Sequence, residues 1–136
     1  MDFSNDEEGK KFFSSYLESK GLKVLNLGTQ FSSYDIEAED NDGNHYFFEL
    51  KLRPIDSKKW GDTIIEKKKY DALDSLDGEE VVVNFFTDCF HVFPLHAEHE
   101  EQRHYCQKTN NWDTHKVPKI LVSYKNTEKS RREYPN

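Results

Sequence analysis

The sequence predicts an α/β fold, and three patterns carry the prediction. Phe12, Phe13, Tyr16 and Leu17 recur at helical spacing on a first amphipathic stretch. Two alternating runs, Tyr34–Ala38 and Tyr46–Arg53, flank a turn at Asn41-Asp42-Gly43 and read as a β-hairpin. Later, Val81-Val82-Val83-Asn84-Phe85-Phe86 has the near-continuous apolar character of a central strand covered on both faces. A helix between the hairpin and that strand makes a crossover, which lets the two strands run parallel. The expected architecture is a mixed sheet of about five strands flanked by helices, in the order α-β-β-β-α-β-β.

Taken in order, Ser4-Asn5-Asp6-Glu7 has the form of a capping box, so a helix begins just after Ser4, runs to about Lys20 and ends at Gly21. Leu22–Leu27 alternates as a first strand, and Gly28-Thr29-Gln30 turns into the hairpin. Pro54 stops the third strand, and a polar loop covers Asp56–Gly61. Asp62–Leu76 reads as a second helix whose inward stripe is Ile65, Ala72, Leu73 and Leu76, with Lys69 inside it and Lys67 and Lys68 in solvent. Asp77-Gly78 ends that helix. Phe90–Phe93 is the hairpin partner of the central strand, and Pro94 closes it. Ala97–Gln107 is polar and helix-compatible, whereas Val117–Tyr124 is a last strand in which Pro118 marks an edge or a strand start. Residues 1–125 are expected to form one domain; 126–136 are charged, without periodicity, and expected to be a mobile tail.

Composition narrows the function classes. Ten Phe, seven Tyr and two Trp supply a core although charged residues make up 33% of the chain. No apolar run approaches the roughly 18 residues of a membrane span. The N-terminal stretch is crowded by Asp2, Asp6, Glu7 and Glu8 and has no signal-peptide pattern, so the expectation is a soluble, cytoplasmic protein. Cys89 and Cys106 are too few for a disulfide framework and read as reduced thiols. A net charge of -7 argues against a general nucleic-acid coat protein. It leaves room for a site whose field is set by local cations.

The hairpin holds the candidate chemistry. A three-residue loop with Gly43 in the left-handed position sets Asp35 opposite Glu49, Ile36 opposite Phe48, Tyr34 opposite Leu50 and Ala38 opposite Tyr46. One face is then apolar, and the other carries Asp35, Glu37, Glu49, Lys51 and Arg53. A two-residue loop would slip the register by one and mix the faces. Adjacent carboxylates repel and call for a cation. Magnesium suits such a pair, because it takes oxygen ligands and keeps waters and substrate phosphate oxygens in its remaining positions. Lys51, two residues beyond Glu49, points to the same side and can hold or polarise a water.

Asp35 within Tyr-Asp-Ile and the tripeptide Glu49-Leu50-Lys51 resemble the PD-(D/E)xK nuclease superfamily, which includes restriction endonucleases and Holliday-junction resolvases; Tyr34 stands where that motif often has Pro. The resemblance implies a restriction-endonuclease-like core and metal-dependent cleavage of nucleic-acid phosphodiesters, DNA more than RNA. It implies Mg²⁺ or Mn²⁺ held by Asp35, Glu49 and the backbone carbonyl of Leu50, with Lys51 assisting the attacking water. Members often carry a further carboxylate on the first helix, for which Glu8 is the candidate, although an acid that favours the helix dipole is its plain reading. They also often place a basic residue on the second helix, a role that Lys69 fits. Arg53, Lys58, Lys59 and Lys69 would meet phosphates, Trp60 would stack on a base, and two copies would pair so that two strands are cut. The run Tyr105–Thr109, followed by Lys116-Val117 and an apolar strand, resembles the tail of phage-encoded members.

Two other readings stand beside this one. A nuclease-like fold without cleavage would serve as a binding or inhibitory protein, and the acidic balance would suit a basic partner. Cys89, His91, His96, His99, His104 and Cys106 fall within eighteen residues and invite a zinc reading, but their spacings do not match the paired ligands of structural zinc sites.

Overall fold

The computed structural model of the chain describes residues 3, 5–29, 31–107 and 116–135, the side chains of 104–107 and 116–118 excepted. The first helix, α1 (Asp6–Ser19), is capped by Asn5, whose side chain accepts from the Glu8 backbone N–H at 3.0 Å. The cap therefore sits one residue later than the Ser4 box predicts. Phe13 and Leu17 are buried on the face that α1 turns to the sheet.

Strands β1 (Lys23–Leu27), β2 (Ile36–Glu39) and β3 (His45–Leu52) form an antiparallel meander. The hairpin register matches expectation: Ile36 pairs with Phe48 and Ala38 with Tyr46. Its turn closes through the Asp40 N–H donating to the Asn44 carbonyl at 3.1 Å, which leaves Asn41, Asp42 and Gly43 as the loop, and Gly43 adopts φ +83°. Only glycine takes up that backbone angle without strain. The alternation does not reach back to Tyr34. The ladder ends at Ile36, and the Tyr34 ring packs on Phe47, centroids 5.2 Å apart, on the face opposite to the one expected.

Beyond β3 the structure departs from the helical reading of Asp62–Leu76. A short 3-10 turn at Ser57–Lys59 leads into a strand, β4 (Asp62–Glu66), and only then into a helix, α2 (Lys67–Asp74). Thr63, Ile64 and Ile65 explain the difference, since three β-branched residues in a row favour extended backbone over helix. Ile65 and Leu73 are still buried, as expected, but from two different elements. Strand β5 (Glu79–Phe85) then returns parallel to β3, and β6 (Cys89–Pro94) pairs antiparallel with β5.

Two later segments also differ from expectation. The polar stretch read as helix-compatible supplies a strand, β7 (Glu100–Gln107), antiparallel to β8 (Lys116–Lys125), and β4-β8-β7 form a second sheet. Pro118 lies in the part of β8 that pairs with β7 alone, so its missing N–H interrupts no ladder toward β4. The segment expected as a tail contains β9 (Arg131–Glu133), which pairs with β6 and completes a six-stranded sheet in the order β1-β2-β3-β5-β6-β9.

Alternation along the central strands gives that sheet two apolar faces. Phe48, Val83, Phe85 and Phe90 meet α1, whereas Val82 and Phe93 join Ile65, Tyr70, Leu73, Val122 and Tyr124 under α2 and the smaller sheet. The tail strand is tied into the first of these cores, because the Tyr134 ring lies against Phe3, Phe12 and Phe90 and its hydroxyl donates to the Phe86 carbonyl. Tyr134→Ala should therefore lower stability by about 2 kcal/mol, the cost of truncating a half-buried aromatic. Thermal or urea unfolding would check this, and an unchanged midpoint would mean that the last strand adds nothing to the core.

Candidate active site

Burial and register together decide what the hairpin's polar face becomes. Glu49 and Lys51 point away from α1 into the layer under α2, so Glu49 is only 4% exposed and not on a wet surface. Asp35 reaches it from the neighbouring chain segment. The Asp35 N–H donates to the Phe48 carbonyl at 2.8 Å, and its carboxylate accepts from the Leu50 N–H at 2.7 Å, which fixes the side chain beside β3. From α2, the Lys69 ammonium donates to the Glu49 carboxylate at 3.1 Å.

These groups line one cleft of about 260 Å³, together with Leu50, Leu52, Arg53 and, from the start of α1, Asp6 and Lys10. Of the residues expected at the site, Asp35, Glu49, Leu50, Lys51, Arg53 and Lys69 are thus brought together. Glu8, Lys58 and Lys59 do not line the cleft. The side of α1 that faces it bears Asp6 and Lys10, four residues apart, and that spacing on one helix face is the sequence signal that would have found them. Lys10 is buried and donates to the Gly28 carbonyl at 2.9 Å.

The electrostatics follow from this packing. Burial raises the pKa of Glu49, the charge of Asp35 pushes the same way, and Lys69 and Lys51 oppose both. Burial lowers the pKa of Lys51 against the pull of Glu49. For Lys69, burial works downward, but the charge and hydrogen bond of Glu49, with Asp35 behind, outweigh it and leave the group raised. Repulsion between the two acids is thus held in check by ammonium groups on either side.

Two oxygen-donor carboxylates lining one cleft, with the backbone carbonyl of Leu50 next in sequence to Glu49, make a donor set suited to a hard divalent cation. Among the described residues no group of three or more His, Cys, Asp or Glu is arranged to hold a metal. A pair fits magnesium better than calcium or zinc, because magnesium fills its shell with waters and phosphate oxygens. Nearby, the amide of Asn84, the β5 residue that pairs with Lys51, donates to the Thr63 hydroxyl at 3.0 Å, while its buried oxygen has no partner.

The residues of the zinc reading have other partners. His91 Nδ1 lies 2.7 Å from the Ser130 hydroxyl, His96 contacts Tyr70 and Asp74, and His99 contacts the Ala97 carbonyl, while Cys89 is a buried free thiol. The side chains of His104 and Cys106 lie outside the described residues.

Comparison with known proteins adds the fold. No protein-family model and no curated protein matches the chain. Among solved structures, Hjc, a Holliday junction resolvase from the archaeal hyperthermophile Archaeoglobus fulgidus, aligns with a TM-score of 0.56 at 13% identity, over 90% of this chain and 94% of that one. What the two share is the architecture. The mixed α/β arrangement is resolvase-like, and nearly all of both chains takes part in the likeness.

The raised pKa of Glu49 gives a stability test with a definite sign. An acid whose folded pKa lies above its unfolded one loses stability as pH rises through that interval, and the loss is complete above it. Replacing Glu49 by the neutral, isosteric Gln removes this loss. Glu49→Gln should melt no lower than the wild type at pH 7, and its advantage should shrink on acidification toward pH 4. Melting curves at the two pH values decide it; a variant less stable at pH 7 would show that the carboxylate charge holds the fold together.

Proposed function

We propose that the chain is a metal-dependent endonuclease that hydrolyses phosphodiester bonds in DNA. The observation that carries this reading is the single cleft in which Asp35, Glu49, Lys51 and Lys69 meet. Two acids and two ammonium groups at a half-open pocket suit a phosphodiester flanked by charge, and the resolvase-like fold supports the same class. Asp35, Glu49 and the Leu50 carbonyl would hold Mg²⁺ or Mn²⁺. When bound, such an ion supplies Lewis-acid stabilisation of charge on the phosphoryl oxygens.

The chain's own side chains supply the rest. Lys51, whose pKa burial lowers, holds the attacking water by its Nζ and stabilises the charge that develops beside it. Lys69 and Arg53 meet the non-bridging oxygens and stabilise the charge that grows on them. Lys10, contributed by α1, gives the cleft one more cation than it has acids although the whole chain carries a net charge of -7. One such cleft cuts one strand, so a homodimer would cut two.

Incubation of the protein with branched, duplex and single-stranded DNA in Mg²⁺ and in Mn²⁺ tests the reading. Lys51→Ala should lower cleavage by at least about 100-fold with an unchanged circular-dichroism spectrum, as expected for loss of a group acting on the reacting water. Full activity in that variant would refute the assignment. The net negative charge favours one second reading, a protein that binds a basic partner and does not cleave. Calorimetric titration with Mn²⁺ separates the two: the nuclease binds the ion and Asp35→Asn weakens that binding at least tenfold, whereas the binding protein shows no dependence on Asp35.

A further inference from the structure

Nine of the ten phenylalanines are buried or half-buried, and Phe31 is 88% exposed. Its loop is nevertheless well tied. The Gly28 N–H donates to the Asp35 carbonyl at 2.7 Å, the Ser32 N–H donates to the Thr29 carbonyl at 3.0 Å, and the Thr29 N–H donates to the Ser32 hydroxyl at 3.0 Å. Gly28 is pressed so closely on Tyr34 that a Cβ there would lie 1.9 Å from the Tyr34 carbonyl oxygen. Both anchors of the loop belong to the cleft, through Lys10 on the Gly28 carbonyl and through Asp35 itself.

Phe31 stands four positions before Asp35, so the two Cα atoms are at most about 14 Å apart, a few nucleotide steps along a strand. From Gly28 to Tyr34 the sequence Gly-Thr-Gln-Phe-Ser-Ser-Tyr contains no acid that would repel a phosphate backbone. The ring has hydroxyl-bearing Thr29, Ser32 and Ser33 close by in sequence, and the exposed aliphatic near it along the chain is Leu27 at the end of β1. Such a ring suits a planar, polar-edged base, which stacks on an aromatic face with little regard to sequence.

We propose that Phe31 is a stacking platform for an unpaired DNA base next to the strand held in the cleft, and so gives the protein a preference for branched or single-stranded DNA over continuous duplex. The inference rests on the DNA reading above, but its test separates the two. Binding is measured without added divalent cation, using single-stranded, four-way-junction and duplex oligonucleotides that carry 2-aminopurine near the branch or strand centre. The wild type should bind the first two more tightly and quench the probe. Phe31→Ala should weaken that binding at least fivefold, lose the quenching and leave duplex affinity unchanged, whereas Phe31→Trp should restore both. Equal binding and quenching by Phe31→Ala, no binding by the wild type, or a loss of dimer on sedimentation of Phe31→Ala would each overturn the proposal. A wild type that quenches yet never cleaves in Mg²⁺ or Mn²⁺ would instead remove the nuclease reading and leave this one standing.

Discussion

The site depends on a single register. With Asp40 closed on Asn44 and Gly43 in the left-handed region, Ile36 lies opposite Phe48 and the next residue back, Asp35, falls beside Glu49. Side chains on a strand alternate with a period of two, so a slip of one residue would turn Glu49 toward α1 and Phe48 toward α2. The aromatic contact of Phe13 with Phe48 at 5.2 Å would be lost at the same time. Core packing and site geometry are therefore enforced by the same pairing.

Much of this was legible in the chain. The hairpin, its loop length and its pairing followed from alternation and from the three-residue loop Asn41-Asp42-Gly43, and the parallel return of β5 followed from an apolar run placed after a helix. The region around Asp62 misled because Ile65, Leu73 and Leu76 fit helical spacing even though the chain changes from strand to helix between Ile65 and Lys67. Periodicity sampled at three points cannot distinguish one helix from a strand joined to a shorter helix. The β-branched triplet at 63–65 was the better guide.

The second sheet and the last strand were less legible for a different reason. The stretches around β7 and β9 are polar, and the strands within them are held by partners distant in sequence: β7 by β8, and β9 by β6. Long-range pairing overrides weak local preference. At the site, the hairpin's acids and its Lys51 could be read from spacing, as could Lys69. The spacing of Asp6 and Lys10 puts them on one helix face, but that this face borders the cleft depends on how α1 packs on the sheet.

The parallel pairing of β3 with β5 carries a kinetic consequence. The two strands are joined by the long excursion through β4 and α2, so their contact is costly in loop entropy and cannot form early from neighbouring residues alone. Until that excursion folds back, Glu49 lies on an open ribbon, fully hydrated, with neither Lys69 above it nor the low-polarity surroundings that raise its pKa. The electrostatics of the cleft are thus a property of the finished topology, and a half-folded chain carries the same acids in ordinary aqueous surroundings.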